Sequence, residues 1–322
     1  MVSASDAADD GLAAMHPYYR AIVEAYAAAG RPYFHQGSAP QAREMMRASL
    51  AAAPPPVGLP ELASVTDETV AGPHGPITIR RYRPRGEVAG VCVYLHAGGW
   101  VIGDIDMSDA TCRRLAAGAG CELVSVEYRL APEHPYPAPL DDAYAVLEWA
   151  AAQSPGPVVL VGESAGGNLA AACAIRARDT GGPAIAGQFL AYPVTDHDLE
   201  TGSYRQVGGR NWLLSTADMK WFWDHYCPDG VDRGDPRISP LRVADAAGLP
   251  PSLIYVAELD PLRDEGLAYA ARLAKAGVPV KTRREAGMLH GYLGAAGAVP
   301  VVAEAVAEAG AWIKDRIAEA GR

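Results

Sequence analysis

Residues 157–167 read PVVLVGESAGG, and this stretch decides the fold. Val158, Val159, Leu160 and Val161 form an unbroken apolar run, the pattern of a strand buried on both faces. Gly162-Glu163-Ser164-Ala165-Gly166 follows at once, and a helical pattern opens behind it at Asn168 and Leu169. Strand, G-x-S-x-G and helix in direct succession is the setting of a nucleophile elbow, a turn so tight that its serine takes a strained backbone and lifts the hydroxyl clear of the sheet. Gly162 and Gly166 are then required, because a side chain at either position would jam strand against helix.

Outward from the elbow the chain alternates strands and helices. Residues 69–71 and 77–82 read as an antiparallel pair joined through the Gly-Pro-His-Gly-Pro turn at 72–76. Six further strands are expected at 91–95, 122–127, 158–161, 185–191, 253–257 and 280–283. Helices are expected near 108–117, 140–153, 165–178, 265–276 and 302–319. Such alternation implies an α/β architecture: a mostly parallel sheet of about eight strands flanked by helices. Two segments fall outside the rhythm. Residues 1–55 look helical, with Tyr19, Ile22, Val23 and Tyr26 on one face of 16–29 and Met45, Met46 and Leu50 on 41–52, before Pro54-Pro55-Pro56 breaks the chain. From 195 to 249 no strand recurs, too long for a plain connection, while Ser215 with Asp218 marks a helix start and Met219, Phe222, Trp223 and Tyr226 share a face. These two segments are expected to form a helical cap above the carboxyl ends of the strands, where open α/β sheets bind ligands. The expected division is 1–55 as the N-terminal part of the cap, 56–194 as the first part of the core, 195–249 as the cap insertion and 250–322 as the second part of the core.

A serine hydroxyl needs a base, and the base needs an orienting group. His290 follows the last expected strand and so lies at the sheet edge that carries the elbow. His74 and His134 sit in turns, His96 belongs to the loop discussed next, and His16, His35, His197 and His225 fall in the expected cap. Asp260 closes the strand before Pro261 and is preferred as the orienting carboxylate to Asp264, which stands where a helix-capping residue would. His96-Ala97-Gly98-Gly99-Trp100 follows the 91–95 strand, and its paired glycines let backbone N–H groups approach a substrate oxygen. Gly98, Gly99 and Ala165 are the expected oxyanion donors. Trp100, Tyr192, Leu213, Leu214 and Trp221 are candidates for the substrate pocket.

Composition narrows the alternatives. The 322 residues are 49% hydrophobic and 20% charged, enough for a sizeable core. A net charge of −10 disfavours nucleic acid as a partner. The acidic opening MVSASDAADD does not read as a signal peptide, and no apolar run has membrane-spanning length. Five scattered cysteines with no C-x-x-C pair suit reduced thiols, and the expected location is cytoplasmic. No H-E-x-x-H motif occurs, so metal-assisted hydrolysis has no support.

Taken together, HAGGW at 96–100, YRLAPEHPYPAPLDD at 128–142, GESAGG at 162–167, DPLRDEG at 260–266 and HGY at 290–292 resemble the hormone-sensitive-lipase-like family of α/β-hydrolases, in its bacterial esterase branch. The resemblance implies an α/β-hydrolase fold with a cap, hydrolysis of short-chain acyl esters by a Ser-His-Asp triad without a cofactor, and pairing of edge strands into homodimers. Ala97 replaces the first of three glycines usual in the family, and Glu163 stands where the family often has Asp; Glu163 reads as a helix-start and packing residue, and 128–142 as scaffold. A serine carboxylesterase acting on a small-molecule ester is the expected function. An amidase, peptidase or lactonase on the same triad, or a non-catalytic relative that binds a small molecule, are the alternatives.

Overall fold

The computed structural model describes residues 12–154 and 156–322; the acidic opening segment lies outside the described residues. Eight strands form one sheet: β1 (Ser64–Gly72), β2 (Gly75–Arg83), β3 (Val91–Leu95), β4 (Glu122–Val126), β5 (Val158–Glu163), β6 (Ile185–Ala191), β7 (Ser252–Leu259) and β8 (Val280–Leu289). Their spatial order is β1-β2-β4-β3-β5-β6-β7-β8. The β1–β2 and β2–β4 pairings are antiparallel and every other pairing is parallel.

The inner parallel strands β3 and β5 are apolar on both faces because both faces are covered. Along β3, Val91, Val93 and Leu95 enter one core while Cys92 and Tyr94 enter the other; β5 divides Val158 and Leu160 from Val159 and Val161 in the same way. Each such side chain, fully buried, contributes about 1.5–3 kcal/mol. The first core is closed by α4 (Ala138–Gln153), α5 (Ala165–Thr180) and α8 (Arg263–Lys275), and the second by α3 (Asp109–Ala119) and α9 (Pro300–Ala320).

β1 and β8 are longer than the sequence patterns of 69–71 and 280–283. Both are edge strands. The added part of β1, 64–68, is mostly exposed. The added part of β8, 284–289, buries Glu285, Gly287, Met288 and Leu289 in no regular alternation with its exposed residues, so no apolar pattern marks either strand. They are held instead by ladder hydrogen bonds and ion pairs, Asp67 with Arg80, Glu68 with Arg81 and Glu258 with Arg284.

Before the sheet come α1 (Pro17–Ala28) and α2 (Ala39–Ala52). Between β6 and β7 lie α6 (Gly202–Val207) and α7 (Thr216–Tyr226). The Ser215 and Asp218 side chains close a capping box at the start of α7. His35 donates its backbone N–H to Asp218 Oδ1 (3.1 Å), and its Nδ1 lies 2.8 Å from the same oxygen. The N-terminal segment and the insertion are thereby joined. Among the described residues no helix is long and apolar enough to cross a membrane.

Candidate active site

β3 is the point from which the connections run in opposite directions, to β4 on one side and to β5 on the other. Ligand crevices of open α/β sheets lie outside the carboxyl ends of strands at such a point. The loop at 96–100 leaves β3 there, and Ser164 leaves β5.

Ser164 has φ +56° and ψ −119°, a conformation that L-residues rarely adopt. Two glycines permit it. A Cβ on Gly162 would lie 2.2 Å from the Gly166 carbonyl oxygen, and one on Gly166 would lie 2.0 Å from the Leu95 carbonyl oxygen at the end of β3. The glycines therefore let α5 start against the sheet, where its first amides point to the carboxyl ends of the strands.

His290 follows β8. Its Nε2 lies 2.8 Å from Ser164 Oγ and its Nδ1 lies 2.8 Å from Asp260 Oδ2. Asp260 is wholly buried, and its Oδ1 accepts the Leu262 N–H at 2.9 Å. A carboxylate can only accept, so it keeps a proton on Nδ1 and leaves Nε2 as an acceptor for the serine hydroxyl. Asp264 is occupied elsewhere, accepting from Ser203 N (2.7 Å) and Arg263 Nε (2.9 Å).

Gly98 and Gly99 border the same cavity as Ser164 and His290. Among the described residues the N–H groups of Gly98, Gly99 and Ala165 donate to no protein acceptor. Gly98 has φ +127°, and a Cβ there would meet the Ile102 carbonyl oxygen at 2.0 Å. Ala97 also borders the cavity, so its methyl takes up space where the resemblance implies glycine.

The loop is braced from behind by the 128–142 segment. Tyr128 donates its hydroxyl to the His96 carbonyl (2.8 Å) and stacks on the His96 ring at 4.1 Å; Ala131 N–H donates to Trp100 O (2.9 Å). Arg43 of α2 reaches across, donating to Val101 O (2.8 Å), Ala131 O (2.8 Å) and both oxygens of Glu133. His96 is wholly buried, and burial pushes its imidazole down to about 4; its Nδ1 lies 2.7 Å from Ala97 O. It braces the loop as a neutral ring.

The cavity has a volume of about 360 Å³. Of the five residues named from the sequence for a pocket, Leu213 and Leu214 border this cavity. Trp100, Tyr192 and Trp221 do not. Trp100 packs in the core against Tyr226 and Trp223, Tyr192 is buried with its hydroxyl on Glu163, and Trp221 lies against Phe222 and His225. The apolar wall comes instead from Tyr26, Phe34, Met46 and Leu50 of the N-terminal segment and Met219 and Phe222 of α7. The apolar stripes of those helices carried the signal, since a stripe not used in the sheet core is free to face a ligand. Glu163 also borders the cavity; burial pushes its carboxyl up, against the pull of two tyrosine hydroxyls and His290.

The family profile described as alpha/beta hydrolase fold matches residues 92–294. The chain belongs to the α/β-hydrolases, in the hormone-sensitive-lipase-like branch. This α/β-hydrolase is 45% identical over 244 residues to the carboxylic ester hydrolase LipN of Mycobacterium tuberculosis, an alignment covering 71% of this chain and 64% of LipN, a little under two thirds of that relative. It is 42% identical over 266 residues to carboxylesterase NlhH of the same organism, covering 78% of this chain and 82% of NlhH. A crystal structure of a thermostable esterase from Pseudomonas putida superposes with a TM-score of 0.87 at 35% identity, covering 94% of this chain and 98% of that one.

Proposed function

We propose that this α/β-hydrolase is a serine carboxylesterase in which Ser164 is the nucleophile, His290 the general base and acid, and Asp260 the group that orients the imidazole. The observation that carries the reading is the pair of 2.8 Å contacts linking a buried carboxylate, an imidazole and a strained serine at the wall of an apolar cavity. His290 Nε2 takes the Ser164 proton as Oγ attacks the ester carbonyl. The carbonyl oxygen gains charge, and the free N–H groups of Gly98, Gly99 and Ala165 receive it in a site already set for it. His290 then gives its proton to the leaving alcohol, and water repeats both steps on the acyl-enzyme. The esterase names carried by relatives at 42–45% identity support the same chemistry.

The substrate class is a small ester with an apolar acyl group of short chain, because the wall of the cavity is largely aliphatic and aromatic while its volume is modest. The five cysteines are free and buried, which supports a reducing, cytoplasmic setting. Turnover of a p-nitrophenyl ester series from acetyl to lauroyl tests the reading in the wild type and in Ser164→Ala. Each added methylene that finds apolar wall is worth about 0.8 kcal/mol, or roughly fourfold in kcat/KM, so specificity should rise over the first members and collapse by lauroyl. Ser164→Ala should hydrolyse none of them while keeping its circular-dichroism spectrum and melting temperature. Undiminished turnover in that variant contradicts the assignment.

A further inference from the structure

The reading of His290 as the base leaves the buried acid at the cavity wall without a task. Glu163 precedes the nucleophile, borders the cavity and is 7% exposed. A carboxylate in such a place must be compensated. Its two oxygens accept from two tyrosines, Oε1 from Tyr94 on β3 and Oε2 from Tyr192 just past β6. The Tyr192 ring in turn meets the His290 imidazole edge to face, with centroids 5.0 Å apart and planes at 63°. Tyr192 holds this pose at φ +39°, with its N–H bound to Tyr255 O at 2.6 Å and its ring wedged against Tyr292 at 5.5 Å. A non-glycine residue kept in the left-handed region by its surroundings is a sign that the position of its side chain matters.

The groups around this assembly are few. Tyr94 faces Glu163 from β3, Cys112 from α3, Tyr192 from the β6 end and His290 from the β8 end. Beyond them, Asp260 faces His290, and Tyr292 and Tyr19 back Tyr192. Burial pushes the Tyr94, Tyr192, Tyr292 and Tyr19 hydroxyls and the Cys112 thiol upward, so these stay neutral. Among the described residues no lysine or arginine bonds to Glu163. The cation that can answer its charge is the imidazolium formed on His290 during the reaction.

We propose that Glu163 is a positioning residue for His290 acting through Tyr192, a second carboxylate that supports the imidazolium indirectly while Asp260 supports it directly. A negative charge on Glu163, one hydrogen bond beyond the Tyr192 ring that packs on His290, favours the protonated imidazole, and the bond fixes the ring against which the imidazole rests. The arrangement thus favours His290 most when it carries the Ser164 proton, and it limits rocking of the imidazole between Ser164 and the leaving alcohol. No proton leaves Glu163, Tyr94 or Tyr192 in the cycle.

The test is the dependence of kcat and KM on pH, over roughly pH 5–9, for p-nitrophenyl butyrate with wild type, Glu163→Gln and Tyr192→Phe. Removing the negative charge makes protonation of His290 less favourable, so the acidic limb of kcat/KM should move to lower pH, by about half a unit in Glu163→Gln. The Tyr192→Phe variant keeps the ring and cuts the link, and its limb should move the same way by less. In both, kcat should fall by roughly 5–20-fold with KM within about twofold, the mark of an interaction made in the transition state. An acidic limb that stays in place in both variants, whatever kcat does, overturns the proposal and leaves Glu163 a packing group. If Glu163→Gln does not fold, Tyr192→Phe decides alone. Failure of the underlying triad reading would show elsewhere, as turnover surviving in Ser164→Ala.

Discussion

Ser164 can occupy its strained turn because two neighbours lack side chains. Gly166 is the tighter of them, since its absent Cβ would sit 2.0 Å from Leu95 O and 2.5 Å from His96 O, both backbone atoms that cannot swing away. Gly166→Ala should therefore push the start of α5 off the sheet and cost about 2–4 kcal/mol of stability. It should lower kcat/KM by roughly 10²-fold, because the hydroxyl and the Ala165 N–H move together by a sizeable fraction of an ångström. Urea denaturation and steady-state kinetics check the two parts; a variant as stable and as active as wild type would show that the glycine is dispensable. This much was legible in the sequence, because a G-x-S-x-G between strand and helix has few steric solutions. The spacing around His290 and Asp260 was legible for a related reason: each directly follows a strand of the same parallel sheet, so the topology alone brings them to one edge. The role of Tyr192 was not. Nothing in a linear pattern says that a tyrosine past a strand end will turn inward to a glutamate instead of lining the pocket.

The loop at 96–100 is an element held from outside itself. Arg43 ties α2 to Val101 O and Ala131 O and grips Glu133, so a helix that walls the cavity also fixes the backbone carrying Gly98 and Gly99. Arg43→Ala should lower stability by about 1–2 kcal/mol and also lower kcat by roughly 3–10-fold. Arg178 makes a comparable pair of bonds to Asp245 O and Ala247 O, but no residue in that cluster borders the cavity. Arg178→Ala should cost stability alone. Equal kcat values for the two variants would separate Arg43 from the loop. The sequence showed α2 as an amphipathic helix and 128–142 as a rigid segment, yet not that they meet. Pairings between residues 88 or 90 positions apart depend on how two loops fold over a sheet, and an arginine serves carbonyls anywhere it can reach.

At the scale of the whole molecule, a sheet carries Ser164, Asp260 and His290 at its strand ends, and two separated segments contribute cavity walls. β3 and β5 place the 96–100 loop and Ser164 side by side, while the N-terminal helices and the insertion border the same cavity, latched at His35 and Asp218. The strand–helix alternation was readable because a sheet buried on both faces demands apolar runs. The edges were not: β1 is polar and relies on pairing for its shape, and in the far half of β8 the charged Arg284 and Glu285 and the glycine at 287 interrupt any apolar run before its buried end. On the proposed reading, most of the chain serves to make one serine hydroxyl nucleophilic. A fluorophosphonate reports on that property and on little else, because it phosphonylates a serine only where a base has activated it. Incubation of the intact protein with such a reagent, followed by mass spectrometry of its peptides, should give one adduct per chain, on Ser164, lost in Ser164→Ala and strongly slowed in His290→Ala. No adduct on Ser164, or one formed equally fast without His290, would contradict the account.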